Sequence, residues 1–300
     1  MKQPMQLRGS GDIRIIGPRA SGKTTFMAAL VHWPNGDPER SPIQDIIAAN
    51  DEDTQKLKDM ARDILENSQT LPPTRLGELP LYNFTIELKP NFLLNPIAAA
   101  TGRNVRMSVS ATDYAGELFT LLREEPRNPD LQLYLDECQY ASGILILIDG
   151  TSITDRDYAD SLAKLEYELN LRFTNNNIDK KRYRIALVFS KAEQRTVWNR
   201  YYDQNSKEFR TQDFIKDRFP KTKQILQRWQ RNWGCSVACF FCSAFGIMGN
   251  PPEPNCSSRI AGRDGTSAVI ARHEYWHPFG LVAPIYWLYT GQGNIQLRKI

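Results

Sequence analysis

Eight residues, Gly17-Pro18-Arg19-Ala20-Ser21-Gly22-Lys23-Thr24, restrict the fold more than any other stretch of the chain. Two glycines with four residues between them, followed by Lys and Thr, form the pattern of a loop that wraps phosphate groups. The flanks agree with it. Asp12, Ile13, Arg14, Ile15 and Ile16 read as a short buried strand, and Phe26, Met27, Leu30 and Val31 recur at helical spacing. In such an arrangement the backbone N–H groups of Gly17, Arg19, Ala20, Ser21 and Gly22, with those of Lys23, Thr24 and Thr25 at the helix start, converge on phosphate oxygens. Lys23 then bridges the terminal phosphates and the Thr24 hydroxyl can ligate Mg²⁺. At Gly22 a Cβ would obstruct the close approach of backbone to phosphate. A chance match to a short pattern is the bland alternative, and it would not require a strand before the loop and a helix after it.

The rest of the chain sets bounds on function. Its 300 residues allow a sizeable core, and the formal net charge of +4 is modest. No run of five or more like charges marks a nucleic-acid or membrane patch, so an ordinary mixed surface is expected and nucleic acid is not an expected partner. Neither a membrane span nor the apolar core of a signal peptide is seen. The five cysteines, an odd number without a framework-like array, suit reduced thiols, and a cytoplasmic protein without disulfides is expected.

Taken in order, residues 34–42 form a polar turn, and residues 51–67 place Leu57, Met60, Ala61, Ile64 and Leu65 on one helical face. Leu71-Pro72-Pro73-Thr74-Arg75 is an extended loop, because the prolines remove donors and fix the backbone. Residues 82–88 and 105–109 alternate in period two and read as an antiparallel ribbon. Apolar runs at 144–148, 185–189 and 237–242 read as buried strands. Between the first two, Tyr158, Leu162, Leu165 and Leu169 mark a helix, and a charged, aromatic-rich helical region broken at Pro220 precedes the third. Residues 246–280, rich in Gly and Pro, look like an irregular insertion, and 281–289 closes the chain as an apolar helix with Pro284 in its first turn. Residues 1–300 are therefore expected to form a single elaborated domain, with a helical insertion at 38–70 and the irregular one at 246–280.

Asp113-Tyr114-Ala115-Gly116 follows the second ribbon strand. An Asp at a strand end beside a phosphate loop can hold Mg²⁺ through water, and the Gly can turn its N–H toward a γ-phosphate. With this element in place the chain resembles a Ras-like GTPase of the translation-factor-related class, and within it bacterial double-GTPase-type domains. The motifs that carry the resemblance appear in order: the loop 17–24, a candidate switch Thr at Thr74 with Thr70 nearby as the alternative, Asp113 to Gly116, Ser190-Lys191-Ala192-Glu193, and Ser243-Ala244. The resemblance implies an α/β, three-layer P-loop NTPase domain of Ras-like topology, a mostly parallel sheet of about six strands with one antiparallel strand. The ribbon separates it from P-loop kinases, whose equivalent strands are parallel.

The resemblance also implies roles. Thr24 and Thr74 would ligate Mg²⁺ directly with Asp113 behind a water, Lys191 would lie along the base, Glu193 would accept from guanine N1 and N2, and the Ala244 N–H would donate to O6. Ser190 and Ser243 complete those two base-reading segments. Ser190 and Glu193 depart from the family's Asn and Asp. Glu117 stands where a Gln would orient the attacking water; its carboxylate can act as a base or be repelled by the γ-phosphate. Arg19 stands where a small residue is usual, and either stabilises developing charge or points to solvent and meets a partner. Lys23, Gly116, Glu117 and Arg19 are thus the candidate catalytic residues.

The expected function is Mg²⁺-dependent binding and slow hydrolysis of GTP by a molecular switch, with GDP as product and unknown protein partners met through the switch loops or 246–280. The alternatives are an ATP-specific NTPase and a nucleotide-gated scaffold with negligible turnover. Two metal-like patterns are set aside. Cys235, Cys239 and Cys242 lie on or beside a strand whose alternate side chains face opposite ways, so they read as core cysteines. His273 and His277 with Cys256 upstream read as surface structure for want of a firm partner set.

Overall fold

The protein is represented by a computed structural model, which describes residues 4–7, 11–33, 41–65, 80–90, 100–260, 266–294 and 297. The first strands are β1, Met5–Gln6, and β2, Asp12–Ile16, followed by helix α1, Lys23–Val31. Strand β3 is Ile43–Ala48, α2 is Glu52–Leu65, β4 is Leu81–Leu88 and β5 is Val105–Asp113. Then come α3, Glu117–Glu124, α4, Pro129–Cys138, β6, Gly143–Asp149, α5, Asp155–Asn175, and β7, Arg184–Ser190. After α6, Arg195–Tyr201, a short pair of strands β8, Tyr202–Asp203, and β9, Glu208–Phe209, leads to α7, Thr211–Arg218, and α8, Pro220–Trp233. Strand β10 is Ser236–Phe241, and α9 is Val282–Thr290.

Among the described residues the central sheet has eight strands, in the order β10-β7-β6-β2-β5-β4-β3, with β1 pairing in parallel with β5. Strands β10, β7, β6, β2 and β5 run parallel, while β4 is antiparallel to both its neighbours. The expected ribbon is β4 on β5, in register from Leu81 opposite Thr112 to Leu88 opposite Val105. One reversed strand in an otherwise parallel sheet is the expected class.

Alternation along the inner strands distributes side chains to both faces. Leu145 and Leu147 join Ile13, Ile15, Phe26 and the α9 residues Ile285 and Leu288 in one core. Ile144, Ile146 and Ile148 join Leu118, Tyr134, Leu165 and Trp229 in the other. A strand buried on both faces has to be apolar throughout, which is why β6 and β7 were legible as continuous runs. Pro220 opens α8 at its first turn, where a missing N–H costs nothing.

Three expectations are corrected. The segment 38–70, expected to be a helical insertion, contains the strand β3 as well as α2, and β3 extends the sheet beyond β4. The stretch 246–280, expected to be irregular, holds two antiparallel pairs: β11, Ile247–Met248, with β12, Glu253–Pro254, and β13, Cys256–Ile260, with β14, Thr266–Ile270. The sheet has more strands than expected because β3 and β1 add to it. Thr74, Pro72 and Pro73 lie outside the described residues, so the expected switch Thr has no described position.

Candidate functional site

All of the sequence motifs that the structure describes leave the same edge of the sheet. The phosphate-type loop follows β2, Asp113 ends β5, Asp149 ends β6, Ser190 ends β7 and Ser243 follows β10. Register holds these ends level: Ile15 pairs with Asp113, Ile16 with Ile146, Asp149 with Ser190, and Phe189 with Phe241. The carboxyl edge of a parallel sheet is where ligands are bound in open α/β folds.

Within the loop, Ala20 and Gly22 take left-handed backbone conformations, at φ 60° and 87°. Left-handed residues one apart are a backbone arrangement in which successive N–H groups can turn to one side, here ahead of α1. At Gly22 a Cβ would meet no protein atom within 4 Å, and the positive φ is a second reason for glycine there, independent of any approach to phosphate. Ser21 is buried, and its Oγ has no hydrogen-bond partner among the described residues. The Ser21 carbonyl accepts from Ser190 Oγ at 2.6 Å, and that hydroxyl also reaches the Ile148 carbonyl at 3.2 Å. Ser190 thus ties β7 to the loop and has a structural part that a base-reading role alone does not explain.

Lys23 is 7 % exposed. Its Nζ donates to the Gly17 carbonyl at 2.9 Å and the Pro18 carbonyl at 3.2 Å, so the side chain folds back along the loop. Burial lowers its proton affinity, while the charges of Asp113 and Glu117 push the other way. Thr24 Oγ1 lies 3.3 Å from Asp113 Oδ2. Thr25 follows in the first turn of α1, half-buried. The structure therefore brings Gly17, Arg19, Ala20, Ser21, Gly22, Lys23, Thr24, Asp113, Gly116 and Glu117 together. Gly116 sits so close to the loop that a Cβ on it would be 2.6 Å from the Arg19 nitrogen. The Arg19 Nε is 3.4 Å from Glu117 Oε1, the two side chains being 49 % and 29 % exposed.

The residues expected to read the base are held by protein groups in the free chain. Lys191, at φ 56°, places its Nζ 2.5 Å from Asp149 Oδ2, and Asp149 Oδ1 accepts from both the backbone and the hydroxyl of Thr151. Glu193 is only 3 % exposed; Oε1 accepts from Gln194 Nε2 at 3.4 Å and Oε2 has no hydrogen-bond partner among the described residues. Burial pushes its carboxyl up, and contacts from Ser243 and Gln194 offset part of that. Ser243 is buried, with its Oγ accepting from the Gly246 N–H at 2.7 Å, and the Ala244 carbonyl accepts from Trp276 Nε1 at 2.8 Å. Asp149 and Trp276 are the residues sequence reasoning missed. Asp149 had a signal, since it ends an apolar strand on the same edge as Asp113; Trp276 is distant in sequence and had none.

A carboxyl with raised proton affinity stabilises the fold below its ordinary value of 4.5, and that contribution is lost as pH rises through the folded value. Glu193→Gln removes the charge without changing shape. Its stability relative to the wild type is expected to increase from pH 5 to pH 8, by on the order of 1 kcal/mol, as read by urea unfolding at both pH values. An equal difference at the two values would show that Glu193 is not a desolvated acid.

The metal-like decoys resolve into separate places. Cys235 and Cys239 pack with the α5 and α8 core and Cys242 with the α1 and α9 core, none of the three in a disulfide. His273 and His277 are exposed, and Cys256 Sγ accepts from Gln194 Nε2 at 3.2 Å. No helix among the described residues is long and apolar enough to cross a membrane.

Among solved structures, a GTP-binding protein from the hyperthermophilic archaeon Sulfolobus solfataricus, in complex with GDP, is 11 % identical, with a TM-score of 0.32 over 78 % of this chain and 46 % of that one. The GTPase-like domain of Ski7 from S. cerevisiae, bound to GTP, is 14 % identical, with a TM-score of 0.35 over 81 % and 43 %. Translation elongation factor SelB from Methanococcus maripaludis, with the GTP analogue GppNHp, is 11 % identical, with a TM-score of 0.30 over 80 % and 31 %. The chain spans less than half the length of each. No curated protein sequence matches it. The family model Double-GTPase 2 matches residues 92–229, a range that holds Asp113 to Gly116 and Ser190 to Glu193 and leaves the loop 17–24 outside it. Over that range the chain carries the sequence pattern of Double-GTPase 2, the double-GTPase type its motifs resemble.

Proposed function

We propose that this protein binds GTP with Mg²⁺ and hydrolyses it slowly, acting as a nucleotide-dependent switch built on one elaborated domain of residues 1–300. The observation that carries the reading is the meeting of Thr24 Oγ1 and Asp113 Oδ2 at 3.3 Å, from two separate elements, beside a buried lysine and a left-handed loop at a helix start. A hydroxyl and a carboxylate are hard oxygen donors, the set that suits Mg²⁺ shared with phosphate oxygens, so the residues fit that ion. When bound, Mg²⁺ would neutralise charge on the phosphates, held by Thr24 and Asp113.

The chain's own groups account for the rest. Loop N–H groups and the start of α1 bind anionic oxygens, and Lys23, now on loop carbonyls, is placed to turn its amine to a phosphate. The Gly116 N–H stands against the loop, where it can order on the terminal phosphate. Arg19 holds the Glu117 carboxylate in the free chain, and once a nucleotide draws Arg19 away the carboxylate is repelled by the terminal phosphate instead of being held on a water, which favours slow turnover. The same pair supports a second reading, a nucleotide-gated scaffold with negligible turnover. Burial of Glu193 keeps ATP in the test as the alternative base. The paired strands in 246–280 and the segments around Asp113 are where a protein partner would meet the switch.

Titration of fluorescent GTP and ATP, with Mg²⁺ and with EDTA, tests the reading. GTP is expected to bind more tightly than ATP, and removal of Mg²⁺ or Asp113→Ala to weaken triphosphate binding at least roughly tenfold. Absence of binding by either purine triphosphate, or an Asp113→Ala variant as tight as wild type, would overturn it.

A further inference from the structure

We infer that Glu117 reads the charge of the bound nucleotide: its carboxylate, paired with Arg19 in the free chain, disfavours each added phosphate and so sets the balance between triphosphate and diphosphate. This rests on the nucleotide-binding reading and deepens it.

The pair joins two elements that the sequence keeps far apart. Arg19 belongs to the loop after β2 and Glu117 is the first residue of α3, and their charged atoms lie 3.4 Å apart. The approach is possible because position 116 lacks a side chain; a Cβ there would be 2.6 Å and 2.7 Å from the Arg19 nitrogen and Cα. Glu117 also acts on Lys23, whose proton affinity its charge raises together with that of Asp113. Two cations and two carboxylates therefore share the site. Asp113 faces Thr24, where a divalent ion would offset its charge, whereas Glu117 faces Arg19.

An anion entering such a cluster meets opposed effects. It gains Lys23 and Arg19, but it has to take Arg19 from Glu117 and then lie near an uncompensated carboxylate. Both penalties grow with the negative charge of the ligand. Because the terminal phosphate is the one expected to face Gly116, the residue next to it in sequence feels the difference between two phosphates and three. A carboxylate at the start of α3 also suits the helix dipole. That role would alter the seating of α3 in the same way for either nucleotide, so the ratio of affinities separates the two.

The 300-residue chain is titrated by calorimetry with GDP and with a non-hydrolysable GTP analogue, both with Mg²⁺, as wild type, Glu117→Gln and Glu117→Asp. In Glu117→Gln the preference for the triphosphate analogue over GDP is expected to rise about tenfold, somewhat above the size of one charge contact in bulk water and below that of a contact sheltered near a surface. This gain should shrink near 1 M salt. Glu117→Asp keeps the charge and should leave the preference within about twofold of wild type. The inference is overturned if Glu117→Gln changes both affinities equally, leaves them unchanged, or weakens the triphosphate analogue selectively. Failure of wild type to bind either nucleotide overturns the nucleotide reading and the inference with it, and is told apart by the absence of any binding heat.

Discussion

Lys23→Ala is expected to weaken triphosphate binding by roughly a hundredfold or more while leaving the chain folded, with stability within about 1 kcal/mol of wild type. The two halves of that expectation have one physical origin. The Lys23 ammonium is almost wholly removed from water, and in the free chain it is satisfied by the carbonyls of Gly17 and Pro18. Burial lowers its proton affinity, which means that the fold bears a cost for keeping the charge there. Removing the ammonium relieves that cost, and the lost carbonyl contacts and packing offset the relief. Binding has no such offset, because a desolvated cation at a phosphate loop is the strongest single donor the site possesses. The pH dependence follows the same sign. With its folded value lowered, Lys23 binds fewer protons in the folded than in the unfolded chain below the ordinary value of 10.5, so wild-type stability rises with pH through that window and the variant lacks the rise. Calorimetry with GTP and urea unfolding at pH 7 and pH 10 check both halves. Binding within threefold of wild type would remove Lys23 from the site.

Much of this arrangement is legible in the amino-acid sequence because its parts are short. A strand covered on both faces must be apolar throughout, so β6 and β7 announced themselves, and the helix after Gly22 followed from the spacing of Phe26, Met27, Leu30 and Val31. Strand β3 was missed for an equally physical reason. The register shifts between Ile43 and Asp45, so Ile43, Ile46 and Ile47 do not alternate, and the period-two signal is broken. Strands β13 and β14 were missed because Ser257, Ser258, Thr266 and Ser267 leave little apolar pattern to read.

At the site the local groups were found and the long-range pairings were not. Lys23, Thr24 and Asp113 sit in recognisable motifs, and their meeting follows once β2 and β5 are neighbours. Nothing in the sequence says that Lys191 turns to Asp149, that Arg19 turns to Glu117, or that Ser190 ties itself to the Ser21 carbonyl. Those contacts depend on side-chain direction at strand ends and loops, where residues with positive φ such as Ala20 and Lys191 re-aim their neighbours. Glu193 shows the limit most plainly. Its position in a motif pointed to an acceptor for a base and said nothing of its burial, which comes with a contact to Ser243 after β10.

The loop's two framing glycines offer a sharp comparison, since they are required for different reasons. Gly17→Ala is expected to cost about 1–3 kcal/mol of stability and to abolish detectable nucleotide binding. A Cβ at position 17 would lie 2.1 Å from the Leu147 carbonyl oxygen and 2.9 Å from Ser21 Oγ. Leu147 belongs to β6, hydrogen-bonded within the sheet to β2 and β7, so it cannot yield without disturbing the core. The loop must move instead, and with it the Gly17 carbonyl that holds Lys23 and the Ser21 carbonyl that holds Ser190. Gly22→Ala meets no neighbour within 4 Å and bears only the strain of a side chain at φ 87°, about 1–2 kcal/mol. Its stability loss is expected to come without the loss of the Ser190 tie. Paired urea unfolding curves and GTP titrations on the two variants separate crowding from strain. Retention of tight GTP binding by Gly17→Ala would mean that the loop is not seated on β6 as the structure places it.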